Sequence, residues 1–79
     1  MTNIDMIETP ASSNIHSVGY DADNSVLYIR FKDKNGNPTA LWRYEGVLAG
    51  EYKAFMGAPS LGKYFQHYIK GTYPGSKAE

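Results

Sequence analysis

The hydrophobic pattern changes period once along the chain. Ahead of residue 45 apolar and polar residues alternate, as in half-buried strands; beyond it apolar residues recur every three or four positions, as on one side of a helix. Ile15 to Tyr20 reads as a first strand, with His16, Val18 and Tyr20 on the core face and Ile15, Ser17 and Gly19 on the other. The turn-rich Asp21-Ala22-Asp23-Asn24-Ser25 ends it. Val26 to Lys32, rich in β-branched and aromatic residues, is the clearest strand and runs into Asn35-Gly36. That dipeptide predicts a two-residue type I′ hairpin, because both central positions need positive φ. The turn then sets Leu27 opposite Tyr44, Tyr28 opposite Arg43, Ile29 opposite Trp42, Arg30 opposite Leu41 and Phe31 opposite Ala40. Leu27, Ile29, Phe31, Trp42 and Tyr44 form the core face, while Val26, Tyr28, Arg30, Leu41 and Arg43 form a mixed outer face.

Past the sheet, Leu48, Tyr52, Phe55 and Met56 follow one helix face, which Gly57 ends. Pro59 breaks the chain, and Ser60 is placed to cap a second helix with an apolar face of Leu61, Tyr64, Phe65, Tyr68 and Ile69. Gly71 is its natural stop. Residues 1–13 read as a flexible arm, able to cover an edge strand, and residues 75–79 as a tail. The expected fold is α+β: a three-stranded antiparallel sheet followed by two short helices packed on one face, in a single domain over residues 14–74. Its core is Val18, Tyr20, Leu27, Ile29, Phe31, Trp42, Tyr44, Tyr52, Phe55, Phe65 and Ile69, and a buried Trp42 cut to Ala would cost about 3 to 5 kcal/mol.

Composition narrows the chemistry. Seventy-nine residues bury only about 60 to 65% of their unfolded surface, so the 14% aromatic content must carry the core. With no cysteine there is neither a disulfide nor a thiolate metal site, and a cytoplasmic location follows as the default. No apolar run reaches the roughly 20 residues of a membrane helix, so no membrane partner is expected. Eight basic and eight acidic residues cancel, which argues against nucleic-acid binding by bulk charge. The charges are nonetheless segregated: Asp5, Glu8, Asp21 and Asp23 lie early, whereas Lys63, Lys70 and Lys77 lie late, with no acid from Ser60 to Lys77.

Five separated segments carry a family resemblance: Gly19-Tyr20-Asp21, the Leu27/Ile29/Phe31 strand, Trp42-Arg43-Tyr44, Ala58-Pro59-Ser60-Leu61-Gly62-Lys63-Tyr64-Phe65, and Ile69-Lys70-Gly71-Thr72-Tyr73-Pro74. In that order they resemble the KTSC family, a small domain named for its occurrence at the C-terminus of some lysyl-tRNA synthetases. The likeness runs from about Ser13 to Pro74. Trp42 stands where the family's central Tyr-x-Tyr motif has its first Tyr, so a role for that hydroxyl does not carry over, and Leu48-Ala49 stands where Pro-Pro is common. The resemblance implies a β-then-α domain, found alone in bacteria and phages, for which RNA binding is suggested.

Three surfaces could carry chemistry. Ser60-Leu61-Gly62-Lys63 opens a helix, whose free N–H groups suit a small anion, with Gly62 admitting a phosphate; alternatively Ser60 is an ordinary cap and Gly62 lets the helix pack closely. Tyr28, Arg30, Leu41 and Arg43 on the outer sheet face could stack bases and meet phosphates, form a protein interface, or engage one another. Lys63, His67 and Lys70, at i, i+4 and i+7, share a helix stripe that Tyr73 and Lys77 could extend, or that simply faces water. His16 and His67 lie in no metal or nucleophile spacing, so no catalytic residue, metal or cofactor is expected. The leading expectation is a non-enzymatic RNA- or nucleotide-binding module using Arg30, Arg43, Ser60, Gly62, Lys63, His67 and Lys70. The alternative is a phage-encoded interaction module or inhibitor, acting on a host protein or a signalling nucleotide, and a homo-oligomer through Tyr28, Leu41 and Arg43.

Overall fold

The computed structural model describes residues 6–9 and 12–78. Its centre is an antiparallel sheet in the order β1 (Ile7–Glu8), β2 (Ile15–Asp21), β3 (Val26–Lys32), β4 (Pro38–Glu45) and β5 (Gly75–Lys77). Helix α1 (Ala49–Met56) and helix α2 (Leu61–Tyr64), continued by a π-helical turn over Phe65–Ile69, pack on one face. The α+β class is as expected, but the sheet has five strands and not three. Ile7 and Glu8 pair with Val18 and Ser17, and Gly75, Ser76 and Lys77 pair with Tyr44, Arg43 and Trp42. Two- and three-residue strands have no period to read, and Gly-Ser-Lys has no β preference. The remainder of the predicted arm, residues 1–5, 10 and 11, lies outside the described residues, as does residue 79.

The β3–β4 register matches the expectation from Leu27–Tyr44 to Arg30–Leu41, but then shifts, so that Lys32 meets Pro38. The extra residue is on β4, and Arg30 Nη1 donates to the Thr39 carbonyl beside it at 2.8 Å. The hairpin is not type I′. Gly36 has φ +85°, but among the described non-glycine residues only Ser25 has positive φ, so Asn35 does not share it. Gly36 N–H donates to the Asp33 carbonyl at 3.0 Å and Asp33 N–H to the Asn37 carbonyl at 2.9 Å, which makes a three-residue loop ending in a left-handed glycine. The Asp33 carboxylate accepts from the N–H groups of Asn35 and Asn37, both at 2.9 Å, and this favours the longer loop.

A second bulge corrects the reading of β2. Ile15 pairs with Phe31 and Ser17 with Arg30, so His16 is the unpaired residue. Ile15 is thereby turned into the core, fully buried, and His16 leaves the core face where alternation had put it. Helix α1 begins after Leu48, whose extended backbone and 68% exposure remove it from the predicted apolar face. Val47 takes its place, fully buried and held by its N–H bond to the Ser25 carbonyl and its carbonyl bond from Tyr20 Oη. Ser60 does cap α2, its Oγ accepting from Lys63 N–H at 3.4 Å. The turn after it widens: Lys70 N–H donates to the Phe65 carbonyl, five residues back, at 2.8 Å. Phe65 and Ile69 stay buried across that turn, whereas Tyr68 is turned outward to 56% exposure.

The core is Ile15, Val18, Leu27, Ile29, Tyr44, Val47, Phe55, Phe65 and Ile69, flanked by half-buried aromatic rings. Tyr20 stacks on Tyr52 at 4.5 Å between ring centroids and 7° between planes, which fixes α1 over β2. Trp42 is among the half-buried residues, so its truncation costs less than the loss of a fully buried ring. Cutting fully buried Phe55 to Ala is expected to cost about 3 to 5 kcal/mol, whereas Leu48→Ala shifts stability by no more than about 0.5 kcal/mol. Urea unfolding of the two variants checks this, and comparable losses would contradict the α1 packing.

Candidate functional site

Five aromatic residues converge beside the π-turn. Phe31 and Trp42 face the helices from β3 and β4, Tyr44 lies next to Trp42's strand end, Phe65 opens the π-turn, and Tyr73 comes from the segment leading into β5. Phe65 meets Phe31 edge-on at 5.4 Å and Tyr44 at 5.3 Å. These rings line a cleft of about 500 Å³ whose other walls are Asn14, Gln66, Lys70, Gly71 and Gly75. A concave apolar site with a few polar groups at its rim is the usual form of a small-ligand site. The β4–β5 register puts Lys77 directly across from Trp42, so the two side chains share that face of the sheet. One apolar hollow thus has two lysines for neighbours, Lys70 in its wall and Lys77 on its edge strand.

Backbone geometry keeps the cleft open. Gly71 has φ +84°, turning the chain out of the π-turn, and Thr72 and Tyr73 N–H both donate to the Ile69 carbonyl at 3.1 Å. A Cβ at Gly75 would collide with the Tyr44 ring, so only glycine lets β5 approach β4 there. Tyr73 is further held by its hydroxyl, which donates to Glu51 Oε1 at 3.0 Å, while Tyr64 Oη donates to Glu51 Oε2. One carboxylate from the first turn of α1 therefore ties α2 and the cleft wall together. The bond to Glu51, with burial adding to it, pushes the Tyr64 phenol up to about 12. Tyr73 is raised mainly by burial and then by Glu51, and Tyr44 by burial.

The residues singled out in the sequence do not form one site. Tyr28, Arg30, Leu41 and Arg43 are cross-strand neighbours on the helix-free face, half-buried, with Arg43 Nε buried and unpaired among the described residues. Ser60 and Gly62 line a different hollow of about 410 Å³ with Thr9, Ser12 and Ser13. The space a phosphate would need at Gly62 is occupied: a Cβ there would lie 2.7 Å from Asn14 Oδ1, so this glycine serves close packing. Lys63 and His67 flank a shallow third hollow with Tyr64 and Tyr68, whose rings lie 4.6 Å apart. Lys70 belongs instead to the aromatic cleft, because the wide turn between His67 and Lys70 splits the stripe. His16 Nδ1 lies 3.2 Å from Ser17 Oγ on the β2 bulge.

Trp42, Phe31 and Tyr73 were legible as aromatic residues but not as cleft walls, and Lys77 only as part of a stripe. Glu51 gave no signal, since its two partners lie 13 and 22 residues away.

The KTSC domain model matches residues 11–73, which is most of the chain. The chain belongs to the KTSC family. A crystal structure of a KTSC domain protein from Yersinia pestis superposes with a TM-score of 0.86 at 32% identity, covering 98% of this chain and 100% of that one. An uncharacterised protein of Stutzerimonas stutzeri (strain A1501) is 36% identical over 59 residues, 75% of this chain and 76% of its own. Among the described residues no helix of this KTSC domain is long and apolar enough to cross a membrane.

The Glu51 bonds carry a pH signature. A phenol that holds its proton more tightly folded than unfolded contributes stability fully below its unfolded pKa near 10 and loses it as pH rises through about 12. Unfolding free energy should therefore fall between about pH 10 and 12, and Glu51→Gln should remove part of that fall. An identical alkaline slope in the variant would show that Glu51 does not hold the Tyr64 proton.

Proposed function

We propose that this KTSC domain is a small non-enzymatic module that binds single-stranded RNA, seating one base against Trp42 in the aromatic cleft. The observation that carries the reading is the meeting of Trp42, Phe31 and Tyr73 with Lys70 and Lys77 at one open cleft. Stacking a base on an aromatic ring is worth about 1 to 3 kcal/mol and needs no base-specific hydrogen bond. Lysines beside the ring meet the phosphates on either side of a stacked base. Asn14 and Gln66 add amide donors and acceptors suited to base edges. With a formal net charge of zero, affinity comes from this local arrangement and not from long-range attraction. The non-enzymatic reading is supported by Glu51, whose two carboxylate oxygens are both engaged by tyrosine hydroxyls and are not set to move a substrate proton.

The second reading is an interaction surface on the opposite face of the sheet, where half-buried Tyr28, Leu41 and Arg43 lie uncovered by the helices and Arg43 Nε has no acceptor among the described residues. A host protein or a second copy would then supply that acceptor.

Trp42 is the only tryptophan, so its emission reports on the cleft directly. Short single-stranded RNA at low salt should quench it. Trp42→Ala should weaken binding, followed by anisotropy of labelled RNA, by about 5- to 150-fold, the equivalent of one lost stack. Lys70→Ala with Lys77→Ala should weaken binding and lower the slope of log affinity against log salt by about 1.4, the value for two single-strand phosphate contacts. RNA that does not bind, or that binds without touching Trp42 emission, overturns the reading. Binding lost in Arg43→Ala and kept in Trp42→Ala would move the site to the outer face.

A further inference from the structure

We propose that Glu51 is a positioning residue for the cleft: without touching the ligand, it holds the Gly71–Gly75 wall at the spacing that admits a base, through the Tyr73 hydroxyl. The proposal rests on the RNA-binding reading for its ligand, but the latch itself is a property of the free protein. Three of the residues lining the cleft, Gly71, Tyr73 and Gly75, come from that segment. On its C-terminal side it is fixed by backbone bonds, Glu45 N–H to the Pro74 carbonyl at 3.1 Å and the β4–β5 pairing. On its N-terminal side it leaves the π-turn at the left-handed Gly71, where Thr72 and Tyr73 N–H hold the backbone to the Ile69 carbonyl at 3.1 Å but leave the Tyr73 ring to be placed by its own hydroxyl. Between the two, the side-chain hydrogen bond that holds the segment is Tyr73 Oη to Glu51 Oε1 at 3.0 Å. The second oxygen of Glu51 is taken by Tyr64 on α2, which prevents the carboxylate from swinging away. The wall is therefore registered to both helices through one side chain.

The chemistry of this latch makes its removal distinguishable from a change of charge. A carboxylate accepts at two oxygens, whereas the glutamine amide accepts at one and presents an N–H₂ that cannot accept from a phenol. Glu51→Gln therefore keeps at most one phenol-to-oxygen bond: the other is reversed into a neutral N–H₂-to-Oη bond and loses its charge assistance, which loosens Tyr64 or Tyr73. On charge alone, taking a negative group from behind Tyr73, a wall of the cleft, would strengthen binding of an anionic chain. If Glu51 positions the wall, the same change weakens binding. The two roles predict opposite signs.

The decisive experiment has one arm without ligand and one with it, both on the full chain. In the first, acrylamide quenching of Trp42 emission in the free protein is measured for wild type, Glu51→Gln, Tyr73→Phe and the double variant. Greater quenching in each single variant, and no further increase in the double, is the expected result. In the second, binding of a labelled single-stranded oligouridylate is measured; a loss of about 2- to 13-fold in Glu51→Gln, reproduced by Tyr73→Phe, is expected for the net loss of one hydrogen bond. Tyr73→Phe retains the ring and changes no charge, so it isolates the latch even where Glu51→Gln fails to fold. Unchanged quenching, additive effects, or tighter binding by Glu51→Gln each overturn the proposal. Altered quenching with no RNA bound by wild type keeps the latch and removes the RNA reading.

Discussion

Phe65 is the residue on which this small domain closes. Its ring stands edge-on to Phe31 of β3 and to Tyr44 of β4, so a single side chain fixes the second helix to two neighbouring strands. A buried phenylalanine contributes about 1.5 to 3 kcal/mol by removal from water, and edge-to-face partners add about 0.5 to 1.5 kcal/mol each. In a domain of this size such sums are a large part of total stability. The same ring begins the π-turn and forms part of the cleft, so packing and site share one residue. Filling the space above Phe65 with a larger helix face would deepen the core and abolish the hollow. Half-buried Trp42 marks where the core stops and the hollow begins.

What could be read from the sequence follows from the range over which each interaction acts. Strands β2, β3 and β4, the sidedness of β3 and β4, the end of α1 at Gly57 and the Ser60 cap all depend on residues a few positions apart, and they were legible. The bulge at His16 was not, because one unpaired residue reverses the face of all that precedes it without leaving a compositional trace. Type I′ geometry was the natural reading of Asn35-Gly36, yet the Asp33 carboxylate, two residues upstream, recruited the turn into a longer loop. β1 and β5 escaped because their order comes from the edges they pair with and not from their own residues. Of the candidate site, the basic and aromatic residue types were visible; their grouping depended on the π-turn and on a five-strand sheet.

The surface is consequently partitioned. Two arginines lie on the open sheet face, where Arg30 braces the β4 bulge through the Thr39 carbonyl and Arg43 lies partly sunk. Lys70 and Lys77 lie at the cleft on the helical side. A net charge of zero thus conceals local surfaces of different composition, with stacking rings beside cations on one side and a mixed strand surface on the other. Small domains have few ways to make a pocket, since a thin core leaves no interior cavity; this one leaves an unfilled seam where the sheet outruns its helices.

The π-turn has one more consequence. Lys63 and Lys70 are seven residues apart, two turns of a regular helix, and in such a helix they would be bound to one surface and inherit one set of constraints. The additional residue in the turn breaks that phase, acting in space as a frameshift acts in a message. Substitutions at Lys63 and Tyr64 are read out on the Tyr64–Tyr68 flank and those at Lys70 and Gly71 are read out at the cleft, so the two surfaces are free to diversify separately within a segment of nine residues.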